Sequence, residues 1–161
     1  MTDPLHDLDA PGMIAPPPLL FAVPIALGVL LQWLIPIPRP AAELAHAAII
    51  VGTALIVVAI ALILSANRVF RRAGTSVLPT RPSTALVTHG PFRFTRNPMY
   101  LGLTLVGSGV ALLAWAPWIL ILLPGAVLAV RYGVIAREER YLARRFGDAY
   151  RDYTARVRRW I

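Results

Sequence analysis

Four apolar stretches, about residues 19–36, 44–64, 99–115 and 118–135, set the terms on which this chain can fold. Each is close to the roughly 17 to 25 residues a helix needs to cross hydrocarbon. Backbone in lipid must satisfy its own hydrogen bonds, so long stretches with almost no charge read as membrane-spanning helices and the fold class as all-α. The third and fourth stretches are separated only by Ala116-Pro117, between Trp115 and Trp118, which predicts a tight helical hairpin with both indoles at one interface. Pro24 in the first and Pro124-Gly125 in the fourth are expected to kink their helices. Composition agrees, with 57% hydrophobic and 15% charged residues.

Four spans bring the N-terminus, the loop from Asn67 to the proline at 98 and the C-terminal tail to one side of the membrane. The loop holds Arg68, Arg71, Arg72, Arg81, Arg93 and Arg96; the tail holds Arg137, Arg140, Arg144, Arg145, Arg151, Arg156, Arg158 and Arg159. The other side has only Arg39. By the positive-inside rule the arginine-rich side is cytosolic, which points to an integral protein of a bacterial inner membrane with both termini in the cytosol. Residues 1–18 lack the basic start of a cleaved signal peptide and carry Asp3, Asp7 and Asp9, so this segment is expected to be retained and partly disordered. One domain is expected, made of that lead-in, two spans within 19–66, and a chemistry-bearing half, 67–161.

The net charge of +8 comes from arginine alone. Because the arginines flank apolar spans, lipid head groups account for them and no nucleic-acid partner is expected. The absence of cysteine removes disulfides and thiolate ligands. His6, His46 and His89 are too scattered for a metal site. Gly107-Ser108-Gly109 falls inside an apolar span, where small residues beside Thr104 serve close helix packing rather than nucleotide binding.

Two segments remain as candidates for chemistry. The first runs from His89 to Gly102 through Gly90-Pro91-Phe92, Arg96-Asn97-Pro98 and Tyr100-Leu101. Gly90 and Pro91 predict a turn, and Pro98 sits where a helix starts, with Asn97 a plausible N-cap. A juxtamembrane turn whose arginines touch lipid phosphate explains the same residues equally well. The second segment opens with Glu138-Glu139 just beyond the fourth span. Paired carboxylates beside hydrocarbon are costly unless they meet a cation. Beyond them Leu142, Phe146, Tyr150, Tyr153, Val157 and Trp160 recur at helical spacing, an amphipathic basic helix. If it runs unbroken through Gly147, Glu139 lies near the centre of the apolar stripe and Glu138 at its edge, near Arg131. The alternative is that the stripe lies among head groups and the glutamates pair with Arg131, Arg140 or Arg144.

Together these segments resemble the superfamily of isoprenylcysteine carboxyl methyltransferases and phospholipid N-methyltransferases, which are integral membrane enzymes. The family pattern is a Gly-Pro-aromatic turn, Arg-His/Asn-Pro-x-Tyr-x-Gly, a helical hairpin, and Glu-Glu followed by aromatic and glycine positions. Here it is met by Gly90-Pro91-Phe92, Arg96-Asn97-Pro98-Met99-Tyr100-Leu101-Gly102, the Trp115/Trp118 hairpin, and Glu138-Glu139 with Leu142, Phe146, Gly147, Tyr150 and Tyr153. The resemblance covers about the last half of the chain; the first two spans carry no recognisable signature. Carboxyl methyltransferases usually have histidine where Asn97 stands, and Asn97-Pro98-Met99-Tyr100 looks more like the phospholipid enzymes.

The resemblance implies S-adenosylmethionine as cofactor and a lipid or other lipophilic acceptor, a carboxylate, amine or thiol, entering from the bilayer. It implies His89, Gly90, Pro91, Arg96, Asn97, Pro98, Tyr100, Leu101, Glu138 and Glu139 as cofactor contacts. For catalysis, Tyr100 is expected near the sulfonium, Arg131 to orient an anionic acceptor and Glu138 to take a proton from an amine. Two other classes stay open: a nicotinamide-dependent sterol-type reductase on a related fold, which is usually larger, and a non-catalytic lipid-binding subunit.

Overall fold

The computed structural model describes residues 15–75 and 83–161. The segment expected to be disordered is described only from residue 15, and Arg81 and the prolines beside it lie outside the described residues. Every regular element described is helical: α1 (Pro17–Leu34), α2 (Ala42–Arg72), a short 3₁₀ turn (Gly90–Arg93), α3 (Pro98–Leu113), α4 (Pro117–Val130), a π-turn (Arg131–Ile135) and α5 (Ala136–Arg156). The described residues fall into two compact units interleaved in sequence: 15–62 with 99–130, and 63–98 with 131–161.

The first unit is apolar and packs through glycine. A Cβ on Gly28 of α1 would lie 2.4 Å from Ile119 Cγ1 and 2.7 Å from the Ile119 nitrogen on α4. On α2 and α3, Gly52 and Gly109 face each other: a Cβ on Gly109 would meet the Gly52 carbonyl at 2.8 Å and Ile56 Cγ1 at 2.6 Å. In membranes, where the hydrophobic effect does not drive helices together, such close approach supplies the dispersion contacts that do. Gly107, one turn face away, looks toward Leu123 of α4. The Thr104 and Ser108 hydroxyls donate back to the Tyr100 and Thr104 carbonyls at 2.9 and 3.0 Å, leaving no polar group bare on α3 at these positions. Gly28→Ala is expected to destabilise the protein by about 1–3 kcal/mol, because Ile119 backbone cannot yield to a methyl group. Thermal unfolding in detergent measures this, and a midpoint equal to wild type would mean that α1 and α4 do not pack at this point.

The hairpin indoles, expected at one interface, are both hydrogen-bonded to backbone carbonyls. Trp115 Nε1 donates to the Pro38 carbonyl and Trp118 Nε1 to the Ile35 carbonyl, both at 2.9 Å, so the two rings clasp the link between α1 and α2. α3 ends with Trp115 at φ +46, a left-handed position that usually takes glycine, closed by Ala116 N–H on the Ala111 carbonyl and Trp115 N–H on the Leu112 carbonyl.

Two boundaries differ from expectation. The loop expected from Asn67 begins only after Arg72, since α2 runs for 31 residues. At about 1.5 Å per residue that is roughly 46 Å, longer than a hydrocarbon core of about 30 Å. Falling hydropathy near Asn67 therefore marks the end of the apolar part and not of the helix. Gly74, at φ +64, is the true stop: its N–H reaches the Arg71 carbonyl and that of Thr75 the Phe70 carbonyl. The fourth helix likewise does not end at 135, because the π-turn carries it into α5, a helical run of 40 residues. α3 has 16 residues, slightly short for a span, whereas α1, α2 and the α4–α5 run are long and apolar enough to cross a membrane. α1 and α4 continue through Pro24 and Pro124.

In the second unit α5 is not unbroken. Gly147 adopts φ +51 and ψ −122, which splits the helix in two, and the chain leaves helical geometry at Val157. The condition under which one stripe runs from Glu138 to Trp160 therefore fails. Even so, Tyr150, Tyr153 and Val157 form a core with Leu86, Leu142 and Phe146, because the break re-aims the second half of α5 onto the same side.

Candidate active site

The second unit holds the candidate site, and its frame is the 3₁₀ turn. Gly90 is glycine for two local reasons: φ is +62, and a Cβ would sit 2.9 Å from Val69 Cγ2. Its neighbour Phe92 is buried and meets Phe70 edge to face, with ring centroids 5.0 Å apart. Tyr153 from the second half of α5 donates its hydroxyl proton to the Phe92 carbonyl at 2.8 Å. The turn is thus held from α2 on one side and from α5 on another.

Residues 95–97 then receive the end of the chain. Arg96 N–H donates to the Arg158 carbonyl at 3.0 Å. The Arg159 carbonyl accepts from Asn97 Nδ2 at 2.9 Å and from Thr95 Oγ1 at 3.2 Å. Thr95 Oγ1 in turn accepts from Asn97 N–H at 3.2 Å. Asn97 is accordingly a clamp on the C-terminal strap in addition to standing just before α3.

With its main chain fixed in this way, Arg159 directs its guanidinium at Glu139, giving Nε to Oε1 at 2.9 Å and Nη2 to Oε2 at 2.6 Å. Arg96 Nη1 approaches the same Oε1 at 3.1 Å. The side chains are 18% (Glu139), 16% (Arg96) and 33% (Arg159) exposed, so two guanidinium groups bracket one carboxylate in a site partly withdrawn from water. Such a bidentate, charge-assisted pair is strong and directional. The Arg159 guanidinium is held above its ordinary range, first by the hydrogen bond to Glu139. Tyr150 is also pushed up, first by burial and then by the Glu139 charge, while its hydrogen bond to Arg96 pulls the other way. Burial raises Tyr153 further, with Tyr150 adding to it. Both phenols are neutral at physiological pH and lend the cluster no negative charge.

Of the residues expected at a site, Arg96, Asn97 and Glu139 come together, with Gly90 and Pro91 in the turn that frames them. Pro98 is fully buried at the first position of α3. His89 is exposed and its side chain does not cap the turn. Tyr100 and Leu101 belong to the apolar unit, Tyr100 being buried. Glu138 is half-buried, about 100° around α5 from Glu139. Arg131 opens the π-turn, with its guanidinium 5.4 Å from the Tyr132 ring centroid and its buried Nε without a hydrogen-bond partner among the described residues. The π-turn adds a residue between Arg131 and Glu138, so counting two regular turns between them misplaces one against the other. Glu139 pairs with Arg96 and Arg159 rather than with Arg131, Arg140 or Arg144. Arg159 is the site residue that sequence reasoning missed. It counted only as one more tail arginine, since no spacing rule links a residue beyond a helix end to one 20 positions earlier.

The profile of the phospholipid methyltransferase family matches residues 47–149, more than half of the chain. The match takes in most of α2, for which the sequence carried no signature: an apolar helix contributes graded composition rather than a motif. An uncharacterized protein of Haemophilus influenzae is 43% identical over 68 residues, a match spanning 39% of this chain and the whole of that relative. No solved structure matches the chain. With its long apolar helices and a family match over most of its length, this membrane protein belongs to the phospholipid methyltransferase family.

Proposed function

We propose that the protein transfers a methyl group from S-adenosylmethionine to a lipid or other lipophilic acceptor at the cytosolic face of the bacterial inner membrane, the whole chain working as one domain. The observation that supports this reading is the ion pair of Arg96 with Glu139, which joins the Arg-Asn-Pro turn to the paired glutamates 43 positions on in a single partly buried polar site. The residues fit such a cofactor. Buried Arg96 Nε lacks a hydrogen-bond partner among the described residues, the state of a donor awaiting an acceptor. Glu139 spends three of its roughly four acceptor positions on arginine, which leaves room for one further cation on Oε2.

In this reading Arg96, Asn97 and Glu139 hold the cofactor beside the Gly90-Pro91 turn, and His89, Pro98, Tyr100, Leu101 and Glu138 are assigned to it by resemblance. When bound, the cofactor supplies an electrophilic methyl group on a sulfonium. The protein's share is to align the acceptor and exclude water, which demands little acid–base machinery. Arg131 offers its unpartnered donor to an anionic acceptor head group, and Glu138 takes the proton when the acceptor is an amine. The arginine-rich side of the chain supports a cytosolic location for this site.

Calorimetric titration of the purified protein with S-adenosylhomocysteine is expected to give one-site binding. Lipid extracts of cells with and without the protein are expected to differ by a species heavier by the mass of one CH₂. Absence of any heat, together with identical extracts, would remove the methyltransferase reading.

A further inference from the structure

Among the described residues, the cluster around Glu139 has one cation too many. Two guanidinium groups face one carboxylate, and both neighbouring phenols stay neutral. A partly buried site with excess positive charge is costly until an anion joins it. The two arginines are not equally placed to receive one. Arg96 is 16% exposed, already paired with Glu139, and its open Nε is buried. Arg159 is 33% exposed, and its bonds to Glu139 use Nε and Nη2, so the Nη1 end of the fork faces no partner among the described residues. Its main chain is pinned by Thr95 and Asn97, which fixes the pivot from which the side chain works. Arg159 also lies beyond residue 149, where the family match ends.

We propose that Arg159 is a cofactor-binding residue: with Glu139 it forms a receptor for a free amino-acid end, Glu139 taking the α-ammonium and the open edge of the Arg159 guanidinium the α-carboxylate. This rests on the reading of the site as the S-adenosylmethionine pocket. A paired carboxylate and guanidinium present opposite charges side by side, the complement of a zwitterion whose own charges are one carbon apart. The amino-acid end of the ligand adds no net charge, and its carboxylate meets the surplus cation. In the ligand-free protein the same pairing keeps Glu139 from standing alone, so the site is assembled before the ligand arrives.

The test compares S-adenosylmethionine with its decarboxylated form, which keeps the sulfonium, the nucleoside and the ammonium but lacks the carboxylate. Binding is measured by calorimetry on full-length protein in nanodiscs. Wild type is expected to prefer the intact cofactor by about 30-fold, the scale of one charge-assisted hydrogen-bonded pair. Arg159→Ala should lose about that factor for the intact cofactor and little for the decarboxylated one, and Arg159→Lys should retain part of the preference. Equal affinities in wild type overturn the proposal while leaving the cofactor reading in place, and this comparison needs no variant to fold. An equal loss for both ligands in Arg159→Ala, with an unchanged melting profile, assigns the arginine to shaping the strap instead. Tighter binding in Arg159→Ala marks it as a latch competing with the ligand, and also overturns the proposal. If wild type binds neither compound, the cofactor reading falls and takes this inference with it.

Discussion

Glu139→Ala is expected to abolish cofactor binding, a loss of at least about 100-fold, and to lower stability by roughly 2–4 kcal/mol. The two effects share one cause. Removing the carboxylate leaves Arg96 and Arg159 side by side, only 16% and 33% exposed, with mutual repulsion in place of a shared counter-charge. Breaking a fully buried pair costs about 3–5 kcal/mol, and residual exposure here brings the figure down somewhat. Glu139→Gln separates the two effects. The amide oxygen still accepts a hydrogen bond from one arginine, so more of the stability survives, but it offers no charge to a ligand ammonium and binding stays lost. Thermal unfolding and titration with S-adenosylhomocysteine on the same preparations provide both readouts, and membrane insertion, which depends on α1 to α4, is expected to be unaffected. An alanine variant that binds as wild type does would take Glu139 out of the site whatever happened to its stability.

The apolar helices were legible because spans announce themselves through length and hydropathy, and the hairpin because Ala116-Pro117 between two tryptophans leaves no other reading. The packing role of Gly107-Ser108-Gly109 was legible for a related reason: small residues inside an apolar helix have little else to do, and Gly109 indeed lies against Gly52. Helix ends were harder, since α2 outlives its apolar stretch by two turns and only Gly74, hidden among other turn residues, marks the stop. At the site, Arg96, Asn97 and Glu139 were within reach because each carries chemistry in a recognisable segment. What joins them was not. The approach of Arg159 depends on a break at Gly147, on the Tyr153 bond to Phe92 and on the strap beside residues 95–97. The last two are long-range contacts with no local periodicity to betray them, and the break rests on the backbone conformation of one glycine. A projection at a fixed angle per residue passes through both the π-turn and the Gly147 break as if neither existed.

Gly147 therefore carries the second large expected effect. Its φ of +51 with ψ of −122 lies where a side chain is strongly disfavoured, yet a Cβ there would meet nothing within 4 Å, so Gly147→Ala tests conformation and not space. The variant has two ways to respond. It keeps the break and carries roughly 1–3 kcal/mol of backbone strain. Or it lets α5 run straight, gaining about 1 kcal/mol of helix propensity. Straightening swings everything after residue 147 away from the turn, and the Tyr153 bond to Phe92 and the Arg158 and Arg159 bonds to residues 95–97 are lost together. Both responses lower stability, and the second also strips Glu139 of Arg159, so cofactor affinity is expected to fall at least about 10-fold. Trp160, next to the strap, reports which response occurs: its fluorescence shifts to the red if the strap is released and stays in place if the break persists under strain. Gly125→Ala is the matched control, since a Cβ there also meets nothing within 4 Å and its φ is not positive; alanine in α4 should be neutral or slightly stabilising. A Gly147→Ala protein that melts with wild type and binds as tightly would show that the C-terminal strap, and with it the Arg159 contact to Glu139, is not how the chain closes its site.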